Sequence, residues 1–175
     1  TPLSALFPST TAASVSTMNL GVLPAQHALY EWNVYIPAFG EVIQSLAFCP
    51  LGRSVQDACR AKGYDPGKLL EVHETVHQRL GRKGVRSIQF AHRSYATSAY
   101  NSVASAGAEI VRHSTLAEAL VQLKECLLAT PGKALLSFYW AAIDTIAHTH
   151  GPGSSYHAAE IANFWHTVDA VFAEV

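Results

Sequence analysis

Charge is what this sequence has least of. Of 175 residues, 12 are Lys or Arg and 13 are Asp or Glu, leaving a formal net charge of −1. A polyanion-binding face needs clustered cations, so neither a nucleic-acid polymer nor an anionic membrane is expected as a partner. Long apolar runs are missing as well. No uninterrupted stretch approaches the roughly 20 residues a membrane helix requires, although 49% of the chain is hydrophobic. Cysteine is scarce and odd in number. Cys49, Cys59 and Cys126 share no metal-like spacing and cannot all pair, which points to a reducing, cytoplasmic compartment. No charged-then-apolar leader precedes Thr1, so a processed product or a piece of something longer is expected. The length suits one domain, residues 1–175, with a real core.

What is present begins with FPSTTAASVSTMNLGVLPAQH, residues 7–27. Pro8 suits the turn before a helix, and Ser9, Thr10 and Thr11 are candidate caps or first-turn residues. A helix is expected over Ala12–Leu20, stopped at Gly21. Its first turn then carries a hydroxyl cluster beside free N–H donors and a positive dipole end, which favours an anion such as phosphate. Aromatic and β-branched residues from Leu29 to Tyr35 predict an extended segment, and Pro37–Gly40 a turn before a second run, Glu41–Phe48. Residues 49–67 read as loop with one helical turn near Val55–Lys62.

Apolar spacing at Leu69, Val72, Val76 and Leu80 predicts a helix, followed by a strand over Val85–Phe90. The stretch His92–Ala108 has no clear period. A short strand at Glu109–Arg112 precedes a helix over Leu116–Ala129 capped by Ser114 or Thr115. The run ALLSFYWAAI, Ala134–Ile143, predicts a strand buried on both faces of a parallel sheet, and His157–Val175 a last helix. Strands alternating with helices imply an α/β three-layer architecture with a mostly parallel central sheet.

Two places could carry chemistry. After the apolar run come Asp144, His148 and His150, then Gly151-Pro152. Ligands gather at the carboxyl ends of parallel strands, and a carboxylate and an imidazole at i, i+4 point towards one ion of the zinc class. The bland alternative makes Asp144 a helix cap and His148 a surface residue. The second place is His73-Glu74-Thr75-Val76-His77, which matches the HExxH pattern of zinc peptidases. Both histidines there are expected beside the apolar stripe, towards solvent, with no third ligand following, so no metal is expected on them.

The sequence resembles the alkaline phosphatase superfamily, near its type I phosphodiesterase/nucleotide pyrophosphatase branch. FPSTTAASVSTMNLGVLPAQH resembles that branch's nucleophile segment, and DTIAHTHGP, residues 144–152, its DxxxHxxGP metal motif. The resemblance implies an alkaline phosphatase-like fold and a hydrolase of phosphodiesters or nucleotide pyrophosphates. It makes Thr11 the nucleophile and a metal ligand, and Asp144 and His148 ligands to one zinc of a two-zinc centre. His150 lines the substrate site. The family asparagine that holds a phosphate oxygen falls near Trp32, so Asn33 takes that role.

The resemblance also sets a limit. The family's first metal-binding aspartate lies on a strand before the nucleophile, and its Asp-His pair and last histidine follow the helix that ends this sequence. None of these is present, so the fold is expected to be incomplete at both ends and the chain alone a poor hydrolase. Uncovered apolar surface then favours self-association. The rival readings are a fold remnant serving as an interaction module, and the HExxH peptidase.

Overall fold

The computed structural model describes residues 4–71 and 74–173. They belong to two compact units, Thr1–Arg86 with Ser94–Ala108 and Ser87–Arg93 with Glu109–Val175.

The first unit opens on helix α1, Thr11–Leu20, and local chemistry sets both its ends. Thr10 is extended and its hydroxyl accepts the Ala13 N–H, while Gly21 closes the helix at φ 66° with its N–H on the Thr17 carbonyl. The face that α1 buries is made of small and polar residues, Ala12, Ala13, Ser16 and Asn19, with Leu20 at its end. A short α2, Pro24–His27, follows with proline at its first position. Strands β1 (Asn33–Ile36), β2 (Glu41–Gln44) and β3 (Cys49–Pro50) form an antiparallel sheet in that order. Alternation along β1 turns Val34 and Ile36 inward and leaves Asn33 and Tyr35 exposed. The unit is completed by α3 (Ala58–Ala61), a 3₁₀ turn (Pro66–Leu69), α4 (Val76–Gly81) and α5 (Ala99–Ala104). Leu20, Leu29, Ile43, Phe48, Leu69 and Tyr100 meet in its core. Each large apolar side chain fully buried there contributes about 1.5–3 kcal/mol.

The helix expected from Leu69 to Leu80 is not continuous. Leu69 ends the 3₁₀ turn, Leu70 is extended, and α4 starts only at Val76, after Thr75 accepts the Gln78 N–H in a capping box. Apolar spacing alone suggested one stripe. The Thr75–Gln78 cap is a stronger local signal, and it sets the start of the helix.

The second unit is built on a parallel three-stranded sheet ordered β5-β4-β6, with β4 Arg86–His92, β5 Glu109–His113 and β6 Ala134–Phe138. Helix α6, Leu116–Ala129, starts where its cap dictates: Thr115 accepts the Glu118 N–H, and the Glu118 carboxylate takes the Ser114 N–H at 2.7 Å. Ile88, Phe90, Leu116, Ala119 and Leu120 are buried. Helices α7 (Ala142–His150) and α8 (Ser155–Phe172) pack on each other and α8 on α6, with Lys124 Nζ reaching the Val171 carbonyl at 2.8 Å.

The expectation of a strand buried on both faces over Ala134–Ile143 is corrected. β6 stops at Phe138, is half-buried throughout, and stands at the end of the strand order, where it has one neighbour. From Ala142 the chain is already helical. The architecture is mixed α/β, a small parallel sheet with helices around it. Among the described residues no helix is long and apolar enough to cross a membrane.

Candidate functional site

Thr11 is the first residue of α1, and the division of labour with Thr10 is clear. Thr10 Oγ1 accepts the Ala13 N–H at 3.2 Å and donates to the Tyr30 carbonyl at 2.9 Å. The Thr11 hydroxyl takes no part in that cap. It stands half-buried at the positive end of a ten-residue helix, beside N–H groups of the first turn that have no intrahelical acceptor. The Thr10–Tyr30 bond ties this helix end to the segment leading into β1, whose first residue is the exposed Asn33. Trp32, the neighbour of Asn33, is 42% exposed.

The far end of α1 is held by a histidine the sequence brings in after Pro24. His27 is fully buried; its Nδ1 accepts the Leu29 N–H at 3.1 Å, so Nε2 carries the proton and donates to Thr17 Oγ1 at 3.1 Å. Burial holds this ring below its ordinary pKa, so it stays neutral and structural.

In the second unit Asp144 and His148 stand one turn apart on α7, Asp144 in the first turn and His148 in the last. Oδ1 and Nε2 are 3.6 Å apart, with side chains 54% and 81% exposed. Two donors bound to one tetrahedral zinc, each about 2.0–2.1 Å away, lie roughly 3.3 Å from each other. A carboxylate oxygen and an imidazole nitrogen at this separation therefore fit two positions on such an ion with a small rotamer adjustment. No third His, Cys, Asp or Glu joins them: among the described residues no such group of three could hold an ion. His150 ends α7 with its ring stacked on Tyr156, centroids 4.0 Å apart. The Gly-Pro turn behind it is closed by Ser154, whose hydroxyl caps α8. Thr11 and Asn33 thus belong to the first unit, and Asp144, His148 and His150 to the second.

The HExxH segment does not form the helix that its pattern requires. His73 lies outside the described residues. Glu74 precedes the cap of α4 and pairs with Arg82. His77, expected towards solvent, is instead buried at 1% exposure, with Nε2 donating to Asn19 Oδ1 at 3.2 Å. The late start of α4 rotates His77 inward onto α1. A hollow of about 610 Å³ on α4 is lined by Glu74, Gln78, Gly81 and Arg82, so the HExxH glutamate borders it, while Thr11, Asn33, Asp144, His148 and His150 do not.

One further cluster matches no motif in the sequence. His92 and His113 end adjacent parallel strands in register, their rings 5.7 Å apart, and His113 is fully buried beside Phe138 and Trp140. The signal was a histidine closing each of two neighbouring strands at the sheet's carboxyl edge. No protein-family model and no curated protein matches the chain.

Proposed function

We propose that the protein carrying this sequence is a metal-dependent phosphodiesterase of the nucleotide pyrophosphatase type, with an alkaline phosphatase-like three-layer fold. Thr11 is its nucleophile, and Asp144 and His148 are two ligands of one zinc in a two-zinc centre to which Thr11 also binds. The observation that carries this reading is the convergence of Asp144 Oδ1 and His148 Nε2 at 3.6 Å on the helix that follows a parallel strand. The position of the Thr11 hydroxyl at the head of α1, where it takes no part in the Thr10 cap, supports it.

When bound, two divalent ions of this kind neutralise phosphate charge and ease ionisation of a coordinated hydroxyl. The chain's own residues supply the rest. Thr11 Oγ1 attacks phosphorus, the bond to the leaving alcohol or nucleotide breaks, and that oxygen departs with a proton. Water then attacks the phosphothreonine, the Thr11–phosphorus bond breaks, and a phosphomonoester leaves while the hydroxyl regains its proton. First-turn N–H groups of α1 face the charge that develops on phosphate. Asn33 donates to a phosphate oxygen, and His150, braced by Tyr156, lines the path of the leaving group.

The test is hydrolysis of bis(p-nitrophenyl) phosphate by the full-length protein in excess Zn²⁺. Thr11→Ala and His148→Ala should each abolish turnover, and His77→Ala variants that fold should retain it. An interaction module would show no turnover with zinc present. A peptidase would lose peptide hydrolysis on His77→Ala and keep it on Thr11→Ala.

A further inference from the structure

The histidine cluster of the second unit has no place in that reaction. His113 is the last residue of β5 and is fully buried, yet neither of its ring nitrogens has a hydrogen-bond partner among the described residues. Its neighbours explain why. Phe138 and Trp140 lie against it with centroids 5.6 and 6.1 Å away, and the His92 ring centroid is 5.7 Å away at a steep angle. The His92 ring in turn has Nε2 3.2 Å from the Ser114 carbonyl. A neutral imidazole without partners is tolerable there; an imidazolium, with two N–H donors and a full charge, is not.

We propose that His113 is an acid-sensitive release point for the carboxyl edge of this sheet: a proton on its ring cannot be housed where the ring now sits, so acidification loosens the end of β5 and the start of α6. Among the described residues the charged and titratable groups around it are His92 and Arg93 from β4 and its end, and Glu118 from α6; Phe138 of β6 and Trp140 just beyond it contribute aromatic rings. Burial and the neighbouring His92 hold the His113 pKa below the ordinary value, against a smaller pull from Glu118. Glu118 cannot serve as counter-charge without loss, because its carboxylate holds the Ser114 N–H at 2.7 Å and lies 3.9 Å from Arg93. Turning to an imidazolium, it would leave the cap of α6.

The sign follows from linkage. A histidine whose pKa is lower folded than unfolded contributes stability that is full above the unfolded value, about 6.5, and is lost progressively as pH falls from there towards the lower folded value. At pH 5.5 one such group raises the unfolding constant by up to about tenfold. His27 and His77 in the first unit add their own share, so the comparison must be between proteins that keep both.

The experiment is urea unfolding of the full chain at pH 7.5 and 5.5, followed by tryptophan fluorescence, for the parent and His113→Phe. Because the His113 ring nitrogens have no hydrogen bond to lose among the described residues, the variant should be at least as stable as the parent at pH 7.5, with an unfolding constant up to tenfold less sensitive to acid. Equal acid sensitivity in the two proteins would overturn the proposal. Should His113→Phe fail to fold, nitrogen-15 NMR titration of the parent decides. A His113 ring that stays neutral until the unit opens supports it, and one that protonates near pH 6.5 in an intact fold defeats it.

Discussion

Nε2 of His77 lies 3.2 Å from Oδ1 of Asn19, and through that bond α4 is joined to the buried face of α1. The same face continues to Tyr100, whose hydroxyl meets Ser16 Oγ at 2.9 Å and whose pKa burial pushes up to about 12. His77 is therefore part of a buried polar network between three helices. Its ring is held neutral by burial, below its ordinary pKa.

His77→Ala should destabilise the first unit. Removing the ring strands the Asn19 oxygen, which costs about 1–3 kcal/mol for an unsatisfied buried acceptor, before any cavity term. His77→Gln, which keeps an N–H donor, should recover part of the loss. Denaturant midpoints check both, and added zinc should shift neither. A zinc-dependent gain in the parent that vanishes in His77→Ala would make this residue a ligand.

Thr10 and Thr11 should separate stability from chemistry. Thr10→Ala removes the α1 cap and should cost about 1 kcal/mol. Thr11→Ala leaves that cap untouched, so its unfolding midpoint should stay within about 0.5 kcal/mol of the parent. Activity should respond the other way, with Thr11→Ala inactive and Thr10→Ala retaining turnover. Matching effects of the two substitutions on both readouts would contradict the assignment.

Gly107 tests the packing of α4 from the opposite side. Its φ is +90°, and a Cβ there would sit 2.9 Å from the Gln78 backbone nitrogen and 3.1 Å from its Cα. Those are main-chain atoms of the α4 capping box and cannot swing aside. Gly107→Ala should therefore cost about 1–3 kcal/mol, the scale of a strained backbone position, and a calorimetric melt checks it. An unchanged melting temperature would mean that α4 yields.

Much of this was legible in the sequence because it depends on short-range chemistry. Thr10, Gly21 and Thr115 set helix ends through their own caps and dihedrals, so α1 and α6 lie where local signals put them. The i, i+4 spacing of Asp144 and His148 likewise needs only one helical turn to bring its donors together. What could not be read depended on partners far along the chain. The burial of His77 depends on Asn19, 58 residues away. β6 is half-buried because of its place in the strand order, which no stretch of apolar residues encodes. The His92–His113 pairing likewise requires knowing that two strands end in register.

The most direct measurement is the covalent state of Thr11 during turnover. The full-length protein, loaded with Zn²⁺ and mixed with bis(p-nitrophenyl) phosphate, is quenched in acid and mapped by peptide mass spectrometry. The account predicts a phosphoryl ester on Thr11 in the parent, absent from Thr11→Ala and strongly reduced in His148→Ala. Product formation with Thr11 unmodified, or an adduct that survives Thr11→Ala, would contradict it.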